Sequence, residues 1–370
     1  MNKKYKILYF MNVDWCWIRQ RPHILAQLLD TKYDLTVLYP HYLTRPWRKQ
    51  TLTRKPTNCR PIFYPPFFSK IHFLRYLVNQ RIKHRIGDVN QYDLIWLSTP
   101  IYIDQIPADY RGKIIYDNMD DIVSLQTDPL LAKCLAERQA LLFQRANAVI
   151  VTSSYLWKNI PTDVQARTSL IRNGTFQEQI FSLKEPCPSK RKFTLGYIGT
   201  ISEWFDFGLI RRLLASVPSF SLELFGPNIV KIPHIPGMHC HGVIEHERLP
   251  QAVRDVDCLL MPFCLNSITL AVDPVKLYEY IGLGKCIVSI RYPEVERFSP
   301  FVYFYETQDE FITLMQQLAK NGFPPRYNAR MQQEFLFSNS WESRLSQIDT
   351  LIKNISNDGE SHESNVCIRN

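Results

Sequence analysis

Residues 273–289 have the sequence DPVKLYEYIGLGKCIVS, which contains the signals for one complete helix followed by a strand. Asp273 is a favourable N-cap and Pro274 a favourable first helical residue, and the two glycines of IGLG end the helix. An apolar run closes the stretch, and another, at 258–262, precedes it. A strand, a helix and a second strand in this order predict one βαβ unit of a parallel α/β sheet.

The same alternation of short apolar runs and helical patterns extends over most of the chain. In the first half, strands are predicted at 6–10, 35–39, 94–98, 113–116, 148–152 and 169–172, with a helix at 130–145. In the second half, strands are predicted at 193–198, 221–225, 238–243, 258–262, 286–290 and 301–305, with helices at 207–214, 249–255, 274–282 and 309–320. We therefore expect an α/β protein with two doubly wound, Rossmann-like domains. The expected segments are domains at 1–175 and 176–335, a helix at 336–355 that could cross back to the first domain, and a disordered tail at 356–370.

With 370 residues, 45% hydrophobic and 21% charged, the chain has the composition of a globular protein. It holds no apolar run of the ~18 residues that a membrane-spanning helix needs, and its first apolar segment is too short for a secretory leader. Nine cysteines occur without a C-x-x-C pair, so neither a disulfide framework nor a zinc ribbon is indicated. We therefore expect a cytoplasmic protein. Neither G-x-G-x-x-G nor a P-loop motif is present.

All of the excess positive charge lies between residues 41 and 86, where eleven Lys and Arg residues occur without an Asp or Glu. Within it, 69–86 places apolar side chains at helical spacing: Ile71, Leu74, Val78 and Ile82. The basic residues fall largely off this stripe: Arg75, Arg81, Lys83 and Arg85. A basic amphipathic helix near aromatic residues predicts binding to an anionic membrane surface, although the stripe could also pack on the sheet. No nucleic-acid-binding motif accompanies the charge, so no such partner is expected.

In open parallel sheets, ligands bind at the carboxyl ends of the strands, beside the N-termini of the following helices. Lys276 lies in the first turn of the helix described above with Glu279 on the same face, which favours binding of a diphosphate. An ordinary surface ion pair is the alternative. After the strand at 113–116, Asp117 and Asp120 could recognise a hydroxyl or act near a reacting centre, or could cap the next helix.

Two patterns suggest metal ligands but are interpreted as structural. Asp255-Val-Asp257 has the D-x-D form, yet it lies between a helix and a strand, where it more simply ends the helix. His239 and His241 share one face of a predicted strand, and no tetrahedral ligand spacing accompanies them. We therefore expect neither a metal nor a cofactor.

The stretch at 273–289 resembles the P-x-K-x-x-E-x-x-x-x-G-K-P-V-V signature of GT-B glycosyltransferases, in particular the retaining family 4 and its branch for teichuronic-acid or exopolysaccharide biosynthesis. Other motifs agree in order and spacing: WIRQRPH at 17–23, YDNMDD at 116–121, VTSS at 151–154, RNGT at 172–175 and LGYIGTISEWFD at 195–206. The resemblance covers residues 5–350 and implies two Rossmann-like domains that face a central cleft.

The resemblance further implies that the second domain holds a nucleotide-sugar donor. Glu279 would accept hydrogen bonds from the ribose, and Lys276 with the amides after Pro274, as far as Leu277, would hold the diphosphate. The remaining donor contacts would come from backbone near the phosphates and the base: Gly199, Thr200, Gly242, Val243 and Ile244.

The chain departs from the family pattern at two points. Ala271 occupies the first position of the family's E-x7-E pair, and NVDWC at 12–16 replaces the glycine-rich loop after the first strand. With the glycines lost, an arginine could approach the diphosphate. Four residues of this region could line the diphosphate or the acceptor: Trp15, Arg19, Arg21 and His23. The expected catalytic residues are Asp120 and Asp117.

Together these features predict a retaining, metal-independent glycosyltransferase that moves a sugar from a nucleotide-sugar donor to a lipid-linked or oligosaccharide acceptor. It would act in cell-surface polysaccharide synthesis, as a peripheral protein on the inner face of the cell membrane. Two alternatives remain. One is a nucleotide-sugar 2-epimerase of the same fold, which needs no acceptor, and the other is a non-catalytic scaffold of a polysaccharide assembly complex.

Overall fold

The computed structural model describes residues 4–42, 55–65, 72–176, 180–189, 191–245 and 248–357. Within them the chain forms two compact units, here called unit 1 and unit 2. Unit 1 comprises the residues up to 172 together with those from 344 onward, and unit 2 comprises 173–343. None of the described helices combines the length and the apolar character that a membrane span requires.

Unit 1 is built on a sheet whose described strands are β1 (Lys6–Phe10), β2 (Asp34–Tyr42), β3 (Asn58–Tyr64), β4 (Leu94–Leu97), β5 (Lys113–Asn118), β6 (Ala148–Val151) and β7 (Thr168–Leu170). Their order is β3-β2-β1-β4-β5-β6-β7, so the chain starts inside the sheet and winds outward in both directions. The described pairings are parallel. The central strands are rich in aliphatic and aromatic residues and are buried, as expected for a parallel sheet covered by helices on both faces.

The helices that connect these strands are α1 (Arg21–Lys32), α2 (His72–Ile86), α3 (Pro129–Arg145), α4 (Ser154–Lys158) and α5 (Thr162–Gln165). Side-chain caps determine where two of them begin. Asp128 accepts a hydrogen bond from the Leu130 amide at the start of α3, and Ser153 accepts one from the Leu156 amide at the start of α4. Such caps satisfy amides that have no partner within the helix.

Unit 2 repeats this architecture with the strands β8 (Phe193–Ile198), β9 (Phe220–Phe225), β10 (Met238–Gly242), β11 (Cys258–Met261), β12 (Cys286–Ile290) and β13 (Tyr303–Tyr305). Their order is β10-β9-β8-β11-β12-β13, again with parallel pairings. The helices are α6 (Phe207–Ser216), α7 (Leu249–Ala252), α8 (Ser267–Ala271), α9 (Val275–Gly282), α10 (Gln308–Lys320) and α11 (Ala329–Ser338). Both units are therefore doubly wound, Rossmann-like α/β structures, which confirms the fold class predicted from the sequence.

The last helix, α12 (Trp341–Asn357), packs on unit 1. The carboxylate of Asp349 accepts a hydrogen bond from the Tyr33 hydroxyl at 2.9 Å and forms an ion pair with Lys32 at the end of α1. Its apolar side chains are buried at helical spacing: Leu345, Ile348, Ile352 and Ile355. Because α12 supplies a whole apolar stripe, it is part of the core of unit 1.

The sequence analysis did not predict β3, α11 or the short helices α4, α5 and α8. The strand β3 carries Arg60 and Pro61 and lies at the edge of its sheet, where proline is tolerated because one side of the strand needs no hydrogen-bond donor. It therefore lacks the apolar run that identified the other strands. The helix α11 was also not predicted, since its sequence, ARMQQEFLFS, has a weak apolar pattern.

Several predicted boundaries differ from the structure, among them those of α9 and α12. The helix α9 begins at Val275 with Pro274 in the cap position, so Asp273 is not its N-cap. The helix α12 continues through Asn357, beyond the predicted end at 355, and the rest of the expected tail lies outside the described residues.

We expect Ile348→Ala to lower the stability of unit 1 by about 2–4 kcal/mol, because Ile348 is fully buried and its truncation leaves a cavity. Lys353→Ala, an exposed position on the same helix, is the matched control and should change stability by less than about 0.5 kcal/mol. Urea unfolding followed by circular dichroism measures both. Equal small effects would show that α12 does not belong to the core.

Candidate functional site

The carboxyl end of β8 carries a bend that only glycine can form. Gly199 follows the strand with a φ of +138°, and a Cβ built on it would lie 2.2 Å from Cε of Lys276. Gly226 follows β9 with a φ of +144°, and a Cβ there would lie 2.1 Å from the carbonyl oxygen of Gly199. Two backbones and one lysine side chain thus meet where no other side chain fits.

Lys276, in the first turn of α9, extends across this bend. Its Nζ lies 5.6 Å from the centre of the Tyr197 ring and 5.5 Å from that of Phe263, which is cation–π range. Burial lowers the pKa of the ammonium, while the charge of Glu279 acts in the opposite direction. The ammonium forms no hydrogen bond or ion pair with the described residues. A bound anion would supply the partner that this side chain lacks and would favour its charged form.

Tyr280 fixes α9 against the sheet. Its buried hydroxyl accepts a hydrogen bond from the Ile198 amide at 2.9 Å and donates one to the Leu260 carbonyl at 3.2 Å. These contacts join the helix to β8 and β11, so Lys276, one turn earlier, is held at the strand ends. The sequence analysis missed Tyr280 and the two aromatic rings beneath Lys276, although each lies in or beside a quoted motif or strand.

Asp273 organises the entry to α9 from within the core. Its carboxylate accepts hydrogen bonds from the Asn173 amide at 2.6 Å and from the Tyr278 hydroxyl at 3.2 Å, and it pairs with Arg297. The side chain of Asn173 donates in turn to the Asp273 carbonyl at 3.1 Å. The predicted capping role is thus wrong, because long-range partners outcompete the helix for this carboxylate.

The remaining predicted donor residues offer mainly backbone. The Leu277 amide donates to the Pro274 carbonyl at 3.0 Å, which leaves the earlier amides of the first turn without helical partners. At the end of β10, Gly242 has a φ of +70° with open space around it, Val243 is exposed, and Ile244 packs against the core of unit 2. The Thr200 carbonyl accepts a hydrogen bond from the Tyr197 hydroxyl at 2.8 Å.

In unit 1, the predicted site residues Arg21 and Asp117 bind each other. Nε and Nη2 of Arg21 donate to the Asp117 carboxylate at 3.1–3.2 Å, and Nη1 donates to the Arg172 carbonyl at 3.1 Å. Both side chains are buried. This pair joins the start of α1, the end of β5 and the chain after β7, so its first role is to position those strand ends.

Asp120 lies in the loop after β5, next to that ion pair. Burial is the main cause that raises the pKa of its carboxyl to about 6, and the charge of Asp117 adds to the effect while Arg21 opposes it. A carboxylate with a pKa near neutrality, at the carboxyl end of a parallel strand, suits hydroxyl recognition or proton transfer.

The loop between β1 and α1 is held from inside. Burial lowers the pKa of His23 to about 4, so the ring is neutral; Nδ1 accepts a hydrogen bond from the Gln20 amide at 3.2 Å, and Nε2 lies 3.2 Å from the Asp14 carbonyl. Trp15 is buried against this ring, with centroids 5.2 Å apart. Arg19 donates to the Gln27 side chain at 3.1 Å. Trp15 and His23 thus support the loop from its interior.

The helix α2 buries part of the predicted apolar stripe, since Val78 and Ile82 are among the core residues. Arg81 and Lys83 are exposed, whereas Arg85 is half-buried with its guanidinium 5.9 Å from the Phe63 ring. A second apolar ridge is exposed: Phe73, Tyr76 and Leu77, at 64%, 55% and 37% of their surface. The Arg75 side chain and much of the basic segment, at 43–54 and 66–71, lie outside the described residues.

The side chains of the D-x-D pattern at 255–257 and of the histidine pattern at 239–241 contact other residues of unit 2. Asp257 accepts a hydrogen bond from the Thr194 amide at 2.8 Å and pairs with Lys184 at 2.9 Å, while Asp255 is exposed. His241 Nε2 lies 2.6 Å from the Glu223 carboxylate on the neighbouring strand. These contacts join strands and loops of unit 2.

Comparisons with known proteins show which proteins this chain resembles. No protein-family model matches the chain. TuaH of Bacillus subtilis (strain 168), provisionally named a teichuronic acid biosynthesis glycosyltransferase, is 24% identical over 211 residues, which span 51% of this chain and 53% of TuaH. The chain thus spans about half the length of this curated relative.

Solved structures match over nearly the full length. The lipopolysaccharide outer core galactosyltransferase WaaB superposes with a TM-score of 0.65 at 12% identity, over 94% of this chain and 99% of WaaB. A protein provisionally named a UDP-N-acetylglucosamine 2-epimerase, from Listeria monocytogenes, superposes with a TM-score of 0.51 at 10% identity, over 91% of this chain and 92% of that protein. The fold is that of GT-B glycosyltransferases, as the sequence motifs predicted.

We expect Asp120→Asn to raise the unfolding temperature above pH 6 and to leave it unchanged near pH 4. The folded-state pKa of about 6 exceeds the ordinary carboxyl value of about 4. The folded protein therefore loses stability as pH rises from about 4 to about 6, because the carboxyl ionises more readily in the unfolded chain. An amide removes that cost, which is about 1–2 kcal/mol after allowance for partial exposure.

Differential scanning calorimetry at pH 4 and pH 7.5 measures this effect, with Asp109→Asn, an exposed position in unit 1, as the control. The same temperature shift for Asp120→Asn at both pH values would show that its carboxyl does not have a raised pKa.

Proposed function

We propose that the protein is a glycosyltransferase that takes a sugar from a nucleotide-sugar donor and acts in cell-surface polysaccharide synthesis. The single observation that carries this proposal is the arrangement of Lys276 over the Gly199 bend, at the N-terminus of α9 and the carboxyl end of β8. The names of TuaH and WaaB support the reaction class and the polysaccharide context.

The donor diphosphate binds at this place for three physical reasons. The Lys276 ammonium supplies a full charge, the first amides of α9 supply donors and the positive end of the helix dipole, and the glycine bend allows close approach of backbone. In this proposal Glu279, three residues along α9 and on the same helix face, accepts hydrogen bonds from the ribose. Because protein groups neutralise the diphosphate, donor binding requires no divalent cation.

We expect Lys276→Met to weaken binding of uridine diphosphate at least tenfold and of uridine by much less. Methionine keeps an apolar stem over Tyr197 and Phe263 but removes a charge-assisted contact of about 1.5–3 kcal/mol. Glu279→Gln should weaken the binding of both uridine diphosphate and uridine, since Glu279 acts at the ribose that both contain. Isothermal titration calorimetry in buffer with EDTA measures each affinity.

Lys320→Ala, an exposed lysine in the last turn of α10, is the control and should bind as the unmodified protein does. Unchanged affinity for both ligands in the Lys276 and Glu279 variants would place the nucleotide elsewhere. Binding that appears only when Mg²⁺ or Mn²⁺ is added would overturn the metal-independent donor site.

In the proposed reaction, Asp120 contacts the acceptor hydroxyl or a sugar hydroxyl, and Asp117 acts through Arg21 as a positioning residue. Transfer proceeds with retention of configuration, driven mainly by electrostatic stabilisation of the departing nucleoside diphosphate. Release of nucleoside diphosphate only in the presence of acceptor supports the transferase. The 2-epimerase, favoured by the Listeria likeness, would interconvert donor sugars without acceptor, and a scaffold would bind donor without turnover.

We also propose that the protein works at the inner face of the cell membrane on a lipid-linked acceptor, with α2 as its docking surface. Phe73, Tyr76 and Leu77 form an exposed ridge at i, i+3 and i+4, next to the exposed Arg81 and Lys83. Apolar side chains beside positive charge match the chemistry of an anionic bilayer surface, where each basic residue contributes about 1 kcal/mol.

We expect Arg81→Glu/Lys83→Glu to release the protein from anionic vesicles at low salt while uridine diphosphate binding is unchanged. The attraction should also weaken at high salt, because charges are screened beyond ~8 Å at physiological ionic strength. Vesicle co-sedimentation measures this, with Arg211→Glu/Arg254→Glu in unit 2 as a control of equal charge change. Equal binding to neutral and anionic vesicles, or no binding to either, would contradict membrane docking.

A further inference from the structure

Three side chains of metal-ligating type converge in unit 1. Asp14 and Cys16 lie in the loop after β1, and His41 lies near the end of β2. One carboxylate oxygen, the thiol sulfur and one imidazole nitrogen all lie within 4.8 Å of one another. Among the described residues, this is the one group of three or more His, Cys, Asp and Glu side chains with such spacing.

The separation of the two harder ligands matches a tetrahedral metal site. Oδ2 of Asp14 lies 3.3 Å from Nδ1 of His41. Two ligands each about 2.0–2.1 Å from a zinc ion, at the tetrahedral angle, are about 3.3 Å apart. The thiol sulfur lies within 4.8 Å of both atoms. A Zn–S bond of about 2.3 Å at the tetrahedral angle would bring it to about 3.6 Å from each of them.

The Asp14 carboxylate has one buried oxygen that could bind a metal ion. The residue is 5% exposed, and its Oδ2 atom is buried without a hydrogen bond among the described residues. Its other oxygen, Oδ1, accepts from the Cys16 amide at 2.9 Å, which sets the turn that carries the thiol back toward the carboxylate. A buried carboxylate oxygen without a hydrogen bond is costly, and a bound cation would compensate that cost.

His41 and the loop that carries Asp14 are also held in place. The His41 ring packs edge-on against Phe63, 5.2 Å away, on the paired strand β3. The Asp14 carbonyl accepts from the Trp17 amide at 3.0 Å and lies 3.2 Å from Nε2 of His23, which fixes the loop from its other side. Such supporting contacts are what orient the ligands of a metal site.

We propose that Asp14, Cys16 and His41 bind a zinc ion. A thiolate with an imidazole selects zinc over Mg²⁺ or Ca²⁺, which prefer oxygen ligands alone. Three protein ligands leave a fourth position for water or for an oxygen of another molecule. The ion ties the β1–α1 loop, in the place of the family's glycine-rich loop, to the end of β2.

The proposed site departs from the sequence expectation that the protein holds no metal, and it shares no residue with the proposed donor site. Its ligands come from unit 1, whereas Lys276 and Glu279 belong to unit 2. The spacing of Asp14 and Cys16 gave no sequence signal, because the third ligand, His41, comes from another strand.

The test uses the full chain freed of metal by EDTA and dialysed against metal-free buffer. Zinc titration by calorimetry should show one ion per chain with a sub-micromolar dissociation constant. Cys16→Ser and His41→Gln should each weaken that affinity at least tenfold. Cobalt(II) should bind with a thiolate-to-metal charge-transfer absorption that Cys16→Ser abolishes.

Cys264→Ser, an exposed cysteine in unit 2, is the control and should bind zinc as the unmodified protein does. Asp14→Asn keeps the oxygen that accepts from the Cys16 amide and so tests the carboxylate without loss of the turn. Circular dichroism checks that each variant is folded. No stoichiometric binding, or equal zinc affinity in all folded variants, would overturn the site and leave an Asp14–His41 ion pair.

Discussion

The contact of the Lys276 side chain with the bend at Gly199 is the constraint on which the candidate donor site depends. A lysine stem can cross the end of β8 only because Gly199 lacks a side chain, and β9 can approach only because Gly226 lacks one as well. The aromatic faces of Tyr197 and Phe263 then hold the ammonium without neutralising it. The same geometry therefore explains why glycine is required at both positions and why the Lys276 amine lies where an anion can reach it.

In unit 1, a different kind of interaction holds the ends of the strands together. Its strand ends are joined by the buried pair of Arg21 and Asp117, which satisfies both charges and reaches the Arg172 carbonyl. That pairing leaves Asp120 as the neighbouring carboxyl with a raised pKa. Asp117, which the sequence analysis expected to act on substrate, thus binds Arg21, while the raised pKa of Asp120 suits it for proton transfer.

The sequence predicted the fold through local signals, and the limits of those signals explain what it missed. Strands with continuous apolar runs were predicted at the right places in the chain, with ends that differ by up to three residues. The strand β3, which contains Arg60 and Pro61, was not predicted. Lys276 and Asp120 were identified as candidates because each follows a strand in a recognisable motif. Their surroundings could not be predicted, because Arg21 and Asp117, or Asn173 and Asp273, are about a hundred residues apart in the chain.

Hydrogen exchange with and without saturating uridine diphosphate tests the central claim most directly, since it locates the bound nucleotide in the unmodified protein. The account predicts slower exchange in peptides that cover 197–201 and 274–280, with little change in the peptides of α12. Protection confined to unit 1, or no protection in either segment of unit 2 at a concentration where calorimetry shows binding, would contradict it.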